Sequence, residues 1–335
     1  MINVFIGLSN NQISNYELLL PKLRGDFNIL VTENTAYNNE IGFCKIIFAE
    51  DSLKNQASGF LNSLKNIVNK IKVYKKVIIQ LKEYKNVNDI RLYFTYVEDI
   101  LTNYLLFSFN RKLKGIVVED GVLNYYNHDI NYLSSSKVFL KKILSDLYGV
   151  PFKKYKGHSS GIEYEHVLKQ YVRAPNLSVF PEKSKRLPHL RKTVNLTNTI
   201  LIVGQEPYIN LFGYTAFIKE QKLLFNYIIN SIEYKTVSKI YYKPHRNGKR
   251  IHNDAVFNKF LDKELVFLSA EESLEDLYFS KLGSKFIYSF DSSALMSIFL
   301  EADDDIQEKI QFKVLPKFTK QLKNVFNKLK FIVLE

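Results

Sequence analysis

The chain has a single cysteine, Cys44, among 335 residues. That excludes an intramolecular disulfide and any metal site built on several thiolates, and a reducing, cytoplasmic setting is the expectation that follows. It also has no long apolar run. Segments such as Asn28-Ile-Leu-Val31 and Val77-Ile-Ile-Gln-Leu81 are of strand length, far short of the ~20 apolar residues of a membrane span. Met1-Ile-Asn-Val-Phe-Ile-Gly7 lacks a basic leader and a cleavage site, so it reads as a first strand and not as a signal peptide. No internal repeat and no low-complexity tract is present. Acids are the scarcer charge, with 34 Asp and Glu against 47 Lys and Arg, a formal net charge of +13. Such a balance suits nucleic acid, an anionic membrane face or an acidic substrate. The richness in Asn, Lys, Ile and Tyr also fits the coding bias of an AT-rich bacterial genome.

What is present is an ample apolar content and a rhythm. The length suits two ordinary domains. Strand signals fall near 2–8, 28–32, 44–49, 75–81 and 114–119, with helical stretches near 54–72, 89–109 and 135–147. Such alternation predicts a parallel sheet wrapped by helices. Residues 149–198 change character: Pro151, Pro175, Pro181 and Pro188, a Gly-His-Ser-Ser-Gly tract and the basic Lys183-Ser-Lys-Arg186 read as loop and linker. From Thr199 a second series follows, with strands at 199–204, 238–242, 264–269, 284–289 and 311–315 and helices at 212–232, 272–280 and 292–300. The expected architecture is α/β, with two Rossmann-like doubly wound domains facing a central cleft. Their bounds are 1–190 (linker from about 150) and 191–316, and a closing basic helix fills 317–335.

Three strand ends carry chemistry. Glu119-Asp120-Gly121 follows the apolar run Gly115-Ile-Val-Val118, at the carboxyl end of a strand, where open α/β sheets place reactive groups. A carboxylate there can take a proton from a substrate hydroxyl, and Gly121 permits a tight turn. A cap or a surface ion pair would use the same two acids. Lys243-Pro244-His245-Arg246 ends a second strand. Proline stiffens the exit, and an imidazole between cations suits a phosphate, though a solvated basic turn fits as well. Ser292 and Ser293 open a helix, where hydroxyls and free N–H groups bind anions or simply cap the helix. Glu271 and Glu272 follow a further strand and serve either ribose or base hydroxyls or the first turn of a helix.

Two motifs are set aside. Asp303-Asp304-Asp305 has no strand before it and reads as a solvated loop. Gly157-His-Ser-Ser-Gly161 lacks the lysine of a P-loop, and Lys153-Lys-Tyr-Lys156 is not the buried strand that a nucleophile elbow at Ser159 requires. That loop is expected to cover the cleft at most.

The ordered trio of acid-Asp-Gly, Lys-Pro-His and Ser-Ser over residues 115–295 resembles bacterial sialyltransferases of the lipooligosaccharide and capsular polysialyltransferase type. The resemblance implies a GT-B fold, with CMP-sialic acid as donor and a glycan as acceptor. It implies Asp120 as general base, His245 at the donor phosphate and leaving group, and Ser292 and Ser293 on the same phosphate. Glu272 or Glu271 would bind the nucleoside, and Lys243, Arg246, Gly204 and Gln205 would line the donor side. Glu119, Gly121 and Asn10 would lie on the acceptor side. The family places proline after the histidine; here Pro244 precedes it and Arg246 follows. One phosphate in the leaving group needs no metal, so no metal or cofactor is expected. A single base implies inversion at the anomeric carbon. Rival readings are a GT-B enzyme with another nucleotide sugar, a nucleic-acid-binding protein without any legible motif, and a non-catalytic membrane scaffold. In the tail, Lys317, Lys320, Lys323, Lys328 and Lys330 interleave with Phe318, Leu322, Val325, Phe326 and Leu329. That spacing predicts one packed face and one cationic face, suited to an anionic membrane and peripheral attachment to the inner face of the cytoplasmic membrane.

Overall fold

The computed structural model describes residues 1–39, 42–49, 60–129, 135–188, 191–246, 248–317 and 320–335. The chain divides into two compact units, Met1–His189 and Leu190–Glu335.

In the first unit seven parallel strands run β1 (Ile2–Gly7), β2 (Phe27–Thr32), β3 (Lys45–Phe48), β4 (Ile90–Phe94), β5 (Lys114–Val118), β6 (Val167–Val172) and β7 (Ser184–Arg186), in the order β3-β2-β1-β4-β5-β6-β7. Alternate side chains go to opposite faces. Val4, Ile6, Val31, Leu92 and Phe94 enter one core, while Phe5, Leu30, Tyr93 and Val118 enter the other. Both faces are therefore covered, as a parallel sheet requires.

In the second unit β8 (Thr197–Val203), β9 (Lys239–Lys243), β10 (Glu264–Phe267), β11 (Ser284–Ser289), β12 (Gln311–Val314) and β13 (Ile332–Val333) are ordered β10-β9-β8-β11-β12-β13, again all parallel. Each sheet reverses its winding beside its first strand. The crevices thus open beyond β1 and β4 in one unit and beyond β8 and β11 in the other.

Four expectations are corrected. Residues 75–81 are not a strand but the end of helix Phe60–Leu81. Its buried Ile71, Tyr74, Val77, Ile78 and Leu81 recur at helical spacing, and a short apolar run alone does not separate the two. The missing strand is β4, at the start of a stretch expected to be helical. The expected linker contains β6 and β7. Their polar centre is Gln170, buried and satisfied by Asn124 at 2.8 Å, Ser178 at 2.6 Å and Ser184 at 2.8 Å. Asp303 does not sit in a plain loop; its carboxylate accepts from Ile306 N at 2.8 Å and caps helix Asp304–Lys309.

The tail is not one helix. A 3-10 turn, Lys320–Leu322, leads to helix Lys323–Lys328, which Lys330 ends in the left-handed region at φ 61°. The chain then pairs as β13 beside β12. Phe331 stacks on Phe312 at 4.5 Å, and Leu322, Val325, Phe326 and Leu329 are buried. Phe318 lies outside the described residues. The apolar face of the tail is thus spent on the second unit's own core.

Candidate active site

In the first unit, Ser9 caps helix Asn10–Glu17 directly after β1, accepting from Gln12 N at 3.3 Å. The cap fixes the first turn, and the Gln12 side chain points across the crevice. Its Nε2 donates to Asp120 Oδ2 at 2.6 Å and to Thr95 Oγ1 at 3.2 Å, while its Oε1 accepts from Leu8 N at 2.8 Å. The loops after β1, β4 and β5 are therefore tied through one amide. Asp120 is half-buried. Burial raises its pKa above the ordinary carboxylate value, opposed by the Gln12 hydrogen bond and the charge of Arg173. Gly121 follows at φ 69°, where a side chain would be strained.

Glu119 does something else. It is 3% exposed; its Oε1 meets Arg173 Nη1 at 2.9 Å, and its Oε2 accepts from Arg173 N at 2.6 Å and from the Tyr125 hydroxyl. Asn15 closes the knot, donating to Glu119 O at 2.9 Å and accepting from Arg173 Nη2 at 3.1 Å. With both oxygens so taken, Glu119 anchors the turn that presents Asp120. Asn10 is exposed at the first turn of its helix and accepts from Asn34 at 3.0 Å. The Gly157–Gly161 loop is packed into this unit: His158, Ser159 and Ser160 are buried, with Ser159 Oγ 2.8 Å from His128 Nδ1.

In the second unit the centre is a residue that sequence reasoning passed over. Glu206, fully buried after β8, accepts from the Tyr242 hydroxyl at 2.6 Å and from His245 N at 2.8 Å. Burial raises its pKa against those two bonds. Gly204 and Gly248 leave room for it: a Cβ on Gly204 would stand 2.6 Å from the carboxylate, and one on Gly248 2.4 Å from Glu206 Cβ. Gln205 between them is half-buried.

Glu206 thereby sets the turn that carries His245. The imidazole is half-buried, and burial first, then Arg246, Lys243 and Arg250, hold its pKa below the ordinary value. Lys243 is buried with its ammonium 3.2 Å from Ala270 O, so it ties the ends of β9 and β10. Burial lowers its pKa too. Arg246 is exposed. Arg250, also missed, donates to His245 O at 2.9 Å and pairs with the exposed Glu271 at 3.5 Å. Glu272 is exposed as well. Beyond β11, Ser292 caps helix Ser293–Glu301, its Oγ 3.3 Å from Ala294 N. Because β11 lies beside β8, and β8 beside β9, the serines, the Glu206 turn and the His245 turn are neighbouring loops. Among the described residues, no three His, Cys, Asp or Glu side chains form a metal-ligating group.

No family model matches the chain, and no curated protein does. Solved structures do. UDP-GlcNAc 2-epimerase from Methanocaldococcus jannaschii, in complex with UDP-GlcNAc and UDP, is 12% identical, with a TM-score of 0.54 over 100% of this chain and 89% of that one. The glycotransferase of kitacinnamycin is 10% identical, with a TM-score of 0.53 over 100% and 85%. The fold is GT-B. In a GT-B chain the two crevices described above are where an α/β sheet binds its ligands. Asp120 stands at one, and His245, Glu206 and Ser292 stand at the other. At this identity the likeness carries the fold alone. No helix among the described residues is long and apolar enough to cross a membrane.

Proposed function

We propose that the chain is a GT-B glycosyltransferase that moves a sugar from a nucleotide-sugar donor to an acceptor hydroxyl. The observation that carries this is Asp120, a half-buried carboxylate held 2.6 Å from Gln12 at the ligand-binding end of the first sheet. Asp120 takes the proton of the acceptor hydroxyl as its oxygen attacks the anomeric carbon from the face opposite the leaving group, which inverts that centre. In the second unit His245 and the Ser292-Ser293 helix start take the phosphate of the leaving nucleotide. Burial first, and then three cations, hold the His245 pKa below its ordinary value; an arriving phosphate opposes that shift and favours the protonated imidazole.

For the donor we propose CMP-sialic acid, and for the acceptor a lipooligosaccharide or capsular glycan. Support comes from the order Asp-Gly, Lys-Pro-His, Ser-Ser. One phosphate is also matched by the local cations Arg246 and Arg250 without a metal. The second reading, a diphosphate sugar, draws on the solved neighbour that holds UDP-GlcNAc and UDP. Calorimetric titration with CMP, UDP and GDP separates the two. Tightest binding of CMP, with sugar transfer from CMP-sialic acid that persists in EDTA, is expected. Preference for UDP with a metal requirement selects the second reading, and epimerisation of UDP-GlcNAc without transfer refutes both.

A further inference from the structure

Two helices on one face of the first sheet carry an outward surface that is both apolar and cationic. Helix Phe60–Leu81 sends Ile71, Tyr74, Val77, Ile78 and Leu81 into the core, and helix Ser135–Leu147 packs Val138 and Leu144 on the same cluster. The helices are neighbours: Lys72 Nζ lies 5.9 Å from the ring centre of Tyr148, and Lys75 Nζ lies 4.0 Å from where Gly149 would carry a Cβ.

On helix Ser135–Leu147 three of the exposed residues are apolar, beside the exposed pair Lys142 and Asp146. Phe139 is 65% exposed, Ile143 39% and Leu147 75%; at i, i+4 and i+8 they form one stripe. On helix Phe60–Leu81 the outward residues are cationic. Lys65, Lys72, Lys75 and Lys76 are exposed, the last three within two turns of Ile79, itself 56% exposed, and the helix contains no acid. Its remaining lysine, Lys70, turns inward to Glu33 at 3.4 Å and Asp99 at 3.7 Å. The nearest acid to the stripe, Asp146, is neutralised by Lys142 at 2.6 Å.

We infer that this helix pair is a docking surface for an anionic lipid bilayer, with Phe139, Ile143 and Leu147 entering the headgroup boundary and Lys65, Lys72, Lys75 and Lys76 meeting lipid phosphates. An apolar stripe beside a cationic band is what interfacial binding needs. A soluble partner of mixed charge would not call for a helix stripped of acids. The basic tail offers charge without this stripe, because Leu322, Val325, Phe326 and Leu329 are buried. The inference stands apart from the proposed transfer reaction, since it is read from lipid binding and not from turnover.

The test is co-sedimentation of the full chain with vesicles of phosphatidylcholine, alone or mixed with phosphatidylglycerol. Wild type is expected to bind the mixed vesicles, less so as salt rises. The variant Phe139→Ser/Ile143→Ser/Leu147→Ser should lose at least about tenfold in affinity. Lys65→Gln/Lys72→Gln/Lys75→Gln/Lys76→Gln should lose a similar factor toward anionic vesicles only. Lys323→Gln/Lys328→Gln/Lys330→Gln should bind as wild type does. If the apolar triple variant does not fold, Leu147→Ser alone, at the most exposed position, should still weaken binding a few-fold. Binding that survives both helix variants, or that is lost with the tail lysines instead, overturns the proposal. So does wild type that ignores vesicles but forms a dimer dissociated by the apolar substitutions, which would make the face a self-interface.

Discussion

Replacing Gln12 by leucine tests the centre of the proposed mechanism without touching the base. Gln12 is 3% exposed, and its Nε2 donates to Asp120 Oδ2 at 2.6 Å. This bond opposes the burial that raises the Asp120 pKa. Leucine keeps the bulk and removes the donor. A hydrogen bond to a charged group is worth about 1.5–3 kcal/mol, and because this one favours the ionised carboxylate, its loss raises the Asp120 pKa further. A base must be ionised, so activity falls as pH drops through that pKa. The acidic limb of kcat/KM should therefore move to higher pH. The assay is initial-rate transfer across the acidic limb, with Asp120→Asn as reference. That variant should lose about 10²–10⁴-fold in kcat and show no such limb. Leu8 N and Thr95 also lose a partner, so Gln12→Leu should cost about 1–3 kcal/mol of stability, and rates must be read well below its unfolding midpoint. A limb that stays in place would refute Asp120, held by Gln12, as the titrating base.

Breaking the buried pair from one side, by Arg173→Met, should cost about 3–5 kcal/mol in urea unfolding; a loss under 1 kcal/mol would show that Glu119 does not depend on it. Glu206→Ala leaves the Tyr242 hydroxyl and His245 N without an acceptor, so it should cost about 1–3 kcal/mol and raise KM for the donor. Unchanged nucleotide affinity would show that Glu206 does not hold the His245 turn. Ser292→Gly keeps most of the capping energy, whereas Ser292→Ala loses about 1 kcal/mol of it. Equal losses of turnover in the two variants, with different stabilities, assign the hydroxyl to the phosphate. Nucleotide binding by wild type should take up a proton relative to His245→Gln, measured by calorimetry in buffers of different ionisation enthalpy; equal uptake removes His245 from the phosphate.

The sheet-and-helix alternation was legible because parallel strands buried on both faces read as short apolar runs, and most of them did. Where reading failed, burial had taken a form that local pattern does not encode. Val77-Ile-Ile-Gln-Leu81 is as apolar as a strand, and only its register with Ile71 and Tyr74 marks it as helix. Val167–Val172 lies among the prolines, glycines and basic residues that read as linker, and its Gln170 is satisfied by Ser178 and Ser184, partners that become visible only once the chain has folded. Asp120, His245 and Ser292 could be singled out as candidates because each lies just beyond a strand.

The residues that position them were not legible, and the reason is the same in both units. Each crevice is braced by one side chain from the segment that follows the unit's first strand, reaching a loop at the end of another strand: Gln12 to Asp120, and Glu206 to the backbone of His245. The partners are separated by 108 positions in the first case and 39 in the second, and nothing along the chain marks the pairing. What the sequence does carry is the room such a brace requires. Gly204 and Gly248 flank Glu206 at distances no Cβ tolerates, so two glycines near neighbouring strand ends are the trace of a buried carboxylate between them. No glycine contact of this kind marks Gln12, and it leaves no such trace. In this GT-B chain the proposed reacting groups are marked by where the strands stop, whereas the groups that hold their loops are fixed by strand order, which is a property of the whole sheet.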